Sequence, residues 1–216
     1  MREGGIVRDS ACLIAIGISS TGVREILGTA LELGEQVVCW RAFLKDLQER
    51  GLHGLTLVVS ADHTGLKAAR KTVFPSVPWQ RCQFHLQQNA QAYVPRDDMK
   101  PHVSADIRAV FNAPSLEEAE RLLGIAVKKY EKTAPRLSAW MENNVPEGLT
   151  IFNLSSSHRK RLRTSNMLER WNEEVRRRIK IISSFPNREA ALRLISFILM
   201  ERNDEWGVTK KCVTFK

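Results

Sequence analysis

LVVSADHTGLKAAR, Leu57 to Arg70, decides the fold class. Val58 and Val59 belong to the run LTLVVS, apolar and β-branched, which predicts a strand buried on both faces. Ser60-Ala61-Asp62-His63 follows as a polar turn, and a helix is expected from about Thr64 to Arg70. Strand, polar turn and helix in succession belong to an α/β protein. In open α/β sheets, ligands bind beyond the carboxyl ends of the strands, so Asp62 and His63 stand where metal ligands or acid–base groups are found. Asp62 has a second reading, as the N-cap of the helix that starts near Thr64.

Upstream, the apolar run Ala11 to Ile18, the turn SSTG and the segment VREILGTAL predict a β-hairpin. Val37, Trp40, Phe43, Leu44 and Leu47 recur at helical spacing over 36–50, and Gly51 closes that helix. Downstream, VPWQRC adds one short strand. From Cys82 onward only helical patterns remain. Val103, Ile107, Val110 and Phe111 make one apolar face; Ala119, Leu122, Leu123, Ala126, Val127 and Tyr130 make another. SLEE at 115–118 is a capping box. Two more helices are expected at about 165–180 and 188–205, with Asn187 as the N-cap of the second. The expected organisation is an α/β block over 1–80, an all-helical block over 81–157, and returning helices over 158–216.

A chain of 216 residues can bury a sizeable core as one or two domains. Its formal net charge of +9 is an argument for a polyanionic partner such as nucleic acid, the alternative being a basic protein with no such partner, and says nothing about fold. Cys12, Cys39, Cys82 and Cys212 are scattered with no CxxC pair, which fits reduced thiols better than a disulfide framework. The opening MREGG lacks the apolar segment of a signal peptide, and CLIAIGI and LISFILM are too short to span a bilayer. No glycine-rich cofactor motif is present, which argues against a nucleotide-dependent metabolic enzyme.

Two further segments can carry chemistry. Cys82-x-x-His85 puts two ligand types on one helix face, but structural zinc needs four ligands, so the pair reads as structural or site-supporting. His158 to Lys180 holds nine Lys/Arg and three Glu, a density suited to phosphate contacts. As a helix it sets Leu168, Val175, Ile179 and Ile182 in an apolar stripe and Asn166, Glu169 and Glu173 on a polar face. Glu169 could there hold a divalent metal beside bound phosphates. The alternative is a solvated face of Glu–Arg pairs at helical spacing.

VPWQRCQFHLQQNAQAYVP, IRAVFNAPSLEEAERLL and HRKRLRTSNMLERWNEEVRRR, with LIAIGISSTGVREILG and LVVSADHTGLKAA before them, closely resemble the mutator-type transposases of bacterial insertion sequences. The likeness covers nearly the whole chain in the family's order. It implies an α/β, ribonuclease H-like catalytic core interrupted by an all-helical insertion. It implies DNA cleavage and strand transfer by three carboxylates (a DDE triad) that hold two Mg²⁺ ions. Its partners would be DNA, and an intact transposase or a second copy of itself, with no membrane. Its place would be the bacterial cytoplasm, associated with the nucleoid.

Carried over position by position, Glu169 in TSNMLERWN matches the family's glutamate and metal ligand. Cys82 and His85 match its site-supporting pair, with His63 and Asn166 beside them. Arg159, Lys160, Arg161, Arg163, Arg170, Arg176, Arg177 and Arg178 are the candidate DNA contacts. The family reads Ser-Asp-x-His where this chain reads Ser60-Ala61-Asp62-His63, so the second aspartate's position holds Ala61 and Asp62 is a displaced substitute. The first aspartate would lie on a strand upstream of Met1. On this reading the core lacks its first strand, and the chain is a truncated, inactive copy. It then serves as a DNA- or transposase-binding inhibitor or as a remnant with no function.

Overall fold

The computed structural model describes residues 2–3, 6–182, 184–208 and 212, with the side chains of 2, 3 and 208 outside the description. The fold is mixed α/β, mostly helical, with three two-stranded sheets among the described residues. The strands are β1 (Arg2–Glu3), β2 (Ile6–Val7), β3 (Ala11–Ile18), β4 (Arg24–Glu32), β5 (Val58–Ser60) and β6 (Trp79–Arg81). The α-helices are α1 (Val37–Glu49), α2 (Thr64–Val73), α3 (Gln83–Ala90), α4 (Lys100–Phe111) and α5 (Leu116–Tyr130). They continue as α6 (Pro135–Asn144), α7 (Ser156–Leu162), α8 (Asn166–Ile179) and α9 (Arg188–Val208). The chain forms two compact units: residues 1–55, 63–76 and 166–216 make unit 1, and 56–62 with 77–165 make unit 2. The ends of the predicted blocks, Met1, Gly4, Gly5, 209–211 and 213–216, lie outside the described residues.

Unit 1 is built on the predicted hairpin. β3 and β4 pair antiparallel around a turn in which the Ser19 amide donates to the Val23 carbonyl and Gly22 takes φ 83°. Alternation sorts the side chains. Leu13 meets Phe43 and Leu47 of α1 on one face. Ile14 and Leu31 meet Val175 of α8 and Ala191, Ile195, Ile198 and Leu199 of α9 on the other. A register shift opposite Ala15 and Ile16 puts Leu27 and Gly28 in succession on the α1 side. A Cβ at 28 would lie 2.6 Å from Arg50 Nη2, which donates to the Leu27 carbonyl, so a larger residue there would displace the Arg50 side chain. Asn203 Oδ1 of α9 takes the Ile26 amide at 2.8 Å, satisfying the backbone beside the bulge.

Several predicted caps and ends are present. Gly51 follows α1 at φ 101°, and Leu52 donates to the Leu47 carbonyl, an αL helix stop. Asn187 Oδ1 accepts from the Ala190 amide at the start of α9. Three expectations need correcting. The helix after Asp62 is capped by His63, whose Nδ1 accepts from the Leu66 amide at 3.2 Å, so Asp62 is not its N-cap. Ile182 lies past the end of α8 and is 39% exposed, outside the apolar stripe, whereas Trp171 is buried. The strand ending at Ser60 is three residues long and half-buried, because its described ladder is to β6 alone.

Unit 2 joins β5 and β6 in a parallel pair, Val58 opposite Trp79 and Ser60 opposite Arg81, to a helical block. From Gln83 to Leu162 every regular element is helical, α-helix or short 3₁₀ turn. Val103, Ile107 and Val110 of α4, Ala119, Leu123, Ala126 and Tyr130 of α5, and Leu137 and Met141 of α6 form its core. Ser115 Oγ caps α5 by accepting from the Glu118 amide, while Glu118 turns outward to a two-bonded pair with Arg121 rather than closing the box. Buried polar side chains tie the strand to this block. Gln80 Oε1 accepts the Ile151 amide, Thr150 Oγ1 donates to the Trp79 carbonyl, and Gln83 Nε2 donates to the Gly148 carbonyl.

Leu137 is fully buried, so Leu137→Ala should cost about 2–5 kcal/mol, and Ser115→Ala about 1 kcal/mol for its cap. Urea unfolding followed by circular dichroism measures both.

Candidate functional site

The polar turn after β5 is held from both sides. Ser60 Oγ donates to the Ala61 carbonyl and accepts from Trp79 Nε1, each at 2.9 Å. The Ser60 carbonyl takes the Cys82 amide at 2.8 Å, carrying the ladder past the end of β6. Ala61 contributes a methyl group and no ligand. Asp62 Oδ2 sits 3.1 Å from Arg81 Nη2.

Arg81 is the centre of this arrangement. Its side chain is 3% exposed, and its Nη1 donates at 3.0 Å to both Glu147 Oε2 and Asn144 Oδ1. Asp62 and Glu147 are 33% and 31% exposed, so two partly hydrated carboxylates neutralise one buried guanidinium. A buried arginine without such partners would be strongly unfavourable.

His63 goes to unit 1 while Asp62 stays in unit 2. With Nδ1 accepting the helix amide, the Nε2 proton faces Glu35 Oε2 at 3.1 Å, which a neutral imidazole satisfies on both nitrogens. Its ring also lies 6.0 Å from that of Trp40. Cys82 is buried at the start of α3, and its Sγ accepts the Ser165 amide at 3.3 Å. His85, one turn on, is half-buried with its ring edge-on to Phe84. Asn166 opens α8 and Glu169 lies in its first turn, where a carboxylate suits the positive end of the helix dipole.

The eight candidate cations for DNA divide into two sets. Arg159 is spent on the fold: it donates to the carbonyls of Leu154, Pro114 and Phe152 and covers the Phe152 ring at 4.9 Å. Arg163 donates to the Phe111 carbonyl and Asn112 Oδ1, and partial burial lowers its pKa. Arg177 and Arg178 clasp Glu174, and Arg178 also reaches Glu201 at 2.7 Å. Lys160, Arg161, Arg170 and Arg176 are exposed and make no side-chain hydrogen bond or ion pair among the described residues.

The family model described as Transposase, Mutator family matches residues 1–209. The chain belongs to the mutator family of transposases. It is 51% identical over 213 residues to the transposase for insertion sequence element IS406 of Burkholderia multivorans, covering 99% of this chain and 55% of that protein. It is 40% identical to the transposase for ISRM5 of Rhizobium meliloti over 95% of this chain and 52% of that one. It is 37% identical to the transposase for IS256 in transposon Tn4001 of Staphylococcus aureus, over 95% and 53%. This mutator-family chain therefore spans about half the length of the curated relatives it matches. No described helix is long and apolar enough to cross a membrane.

Sequence reasoning missed Arg81, Asn144 and Glu147. Arg81 stands in VPWQRC as one more cation in a basic chain, and its partners lie more than sixty residues away, so no spacing connects them.

Replacing Arg81 by Met leaves two carboxylates facing apolar surface. Because both are about one-third exposed, the expected destabilisation is about 2 kcal/mol rather than the larger cost of a fully buried pair. Loss of transition midpoint in urea at neutral pH checks it. Glu174 makes a second prediction. Hydrogen bonds from Arg177 and Arg178 hold its carboxyl down at about 2, against its usual 4.5. A depressed carboxyl contributes stability that is complete above 4.5 and lost as pH falls toward 2. The Glu174 carboxyl carbon, followed by NMR through an acid titration, should report a midpoint near 2, and Arg177→Ala with Arg178→Ala should bring it back toward 4.5.

Proposed function

We propose that this chain carries the ribonuclease H-like part of an insertion-sequence transposase, with a helical insertion at 81–157, and that this copy binds DNA without cutting it. One observation carries the reading: beyond β5 the family's acid position is Ala61, and the neighbouring Asp62 is engaged by the buried Arg81.

The family implies a divalent metal, and the donor set of this chain does not fit the two-ion site. Mg²⁺ takes oxygen ligands and is held through carboxylates with substrate phosphates. Ala61 offers no oxygen. Asp62 lies 3.1 Å from a guanidinium whose charge opposes a cation. Of the two triad positions that fall within this sequence, Ala61 and Glu169, only Glu169 offers a carboxylate. No catalytic step is therefore derived through the ions.

DNA binding rests on the four exposed cations, Lys160, Arg161, Arg170 and Arg176, rather than on Arg159 and Arg163, whose donors are engaged by carbonyl and amide oxygens, or Arg177 and Arg178, which pair with carboxylates. A second reading, capture of an intact transposase or of another copy, is favoured by the β3–β4 ladder. It has two strands among the described residues, so backbone groups along β3 are available for strand addition.

Duplex binding should weaken steeply with salt. Lys160→Ala with Arg161→Ala should lower the slope of log K against log salt by about 2, leaving the thermal melt unchanged. Arg159→Ala should instead lower the melting temperature. Incubation of labelled duplex with millimolar Mg²⁺ should give no cleavage. Product that appears with the natural chain and disappears with Glu169→Gln would overturn the inactive reading.

A further inference from the structure

Unit 2 contains an open cavity of about 370 Å³ lined by Asp62, Arg81, Asn89, Tyr93, Trp140 and Asn144. Tyr93 closes the 3₁₀ turn Gln91–Tyr93 after α3, and its ring stacks on Trp140 of α6 with centroids 5.4 Å apart and planes 26° apart. Trp140 is 9% exposed and Tyr93 39%. The buried indole thus backs one side of the phenol ring, and the ring stands at the wall of the cavity with its outer part in solvent. An aromatic face fixed from behind is a stacking platform for a flat ligand, and every nucleobase has such a face.

The polar walls say which flat ligand. Arg81 is opposed by two carboxylates, Asp62 and Glu147, so this wall is not cationic and does not suit a phosphate. Asp62 brings a carboxylate to this wall, a group that accepts from amino groups on base edges. Asn89, exposed in the last turn of α3, adds an amide that both donates and accepts. Arg81 Nε is buried and has no hydrogen-bond partner among the described residues, an unmet donor in a cavity-lining residue.

We propose that this cavity takes one unstacked nucleobase of a single DNA strand, stacked on Tyr93, with Asp62 and Asn89 meeting an amino-bearing edge. The proposal rests on the DNA-binding reading above. It favours cytosine, adenine and guanine over thymine, which has no amino group. It also gives Asp62 a task other than holding a metal, as a base-reading acceptor oriented by Arg81. Phosphate contacts from exposed cations and base contacts from the cavity are then separate contributions.

The test is fluorescence anisotropy of the full chain with a labelled short strand of mixed sequence, its duplex, and all-cytosine and all-thymine strands. Tyr93→Ala should weaken single-strand binding about tenfold, while Tyr93→Phe stays within about twofold and neither changes duplex binding. Asn89→Ala, on an exposed helix turn, should reduce the preference for cytosine over thymine strands while melting like the natural chain. Single-strand binding unaffected by Tyr93→Ala, equal weakening of the duplex, or equal affinity for cytosine and thymine strands would overturn the cavity proposal and leave the duplex reading standing. Binding of neither strand nor duplex by the natural chain would overturn both.

Discussion

A single buried guanidinium organises unit 2. Arg81 ends a three-residue strand, yet it is held by Asp62 from the turn after the neighbouring strand and by Asn144 and Glu147 from the end of the helical block. The physical constraint is desolvation: a positive charge that is 3% exposed must be matched on several sides or the fold around it opens. Meeting that demand engages the Asp62 carboxylate with Arg81. It also aligns the strand ends with the 3₁₀ turns Val145–Gly148 and Thr150–Asn153, where Gln80, Gln83 and Thr150 add neutral hydrogen bonds of their own. In three dimensions the polar turn after β5 forms one wall of an ion-paired cluster.

Unit 1 has a different principle, a hairpin buried on both faces. Most hairpins can leave one face to water, but β3 and β4 carry apolar side chains on both, and helices cover each. A bulge keeps the two faces in step. It allows Arg50 to reach the Leu27 carbonyl across Gly28 and leaves the Ile26 amide for Asn203. These contacts are polar fastenings on an apolar sandwich, and they account for a glycine in a strand that is otherwise a poor place for one.

Charge alone was a blunt guide. Eight basic side chains between Arg159 and Arg178 look alike in sequence. In the fold, Arg159 and Arg163 donate to carbonyl groups, and Arg177 and Arg178 share Glu174, so half of them also make bonds within the protein. An arginine's five donors make it as useful for collecting orphan carbonyls as for gripping phosphate, and only the identity of its neighbours separates the two uses.

The order of elements was legible in the residues themselves. The hairpin, the strand before Asp62, the capped helices at Ser115 and Asn187, and the long helical stretch after Cys82 all follow from local periodicity and turn chemistry, which act over a few residues. Family membership was legible for the same reason, since long segments keep their order. What the sequence could not supply was the pairing of distant groups. His63 rather than Asp62 takes the helix cap, Asp62 turns to Arg81, Glu147 joins from 66 positions away, and Tyr93 stacks on Trp140. Such contacts depend on where the backbone brings side chains and on how deeply each charge is withdrawn from water. Those are properties of the folded chain and of no window along it.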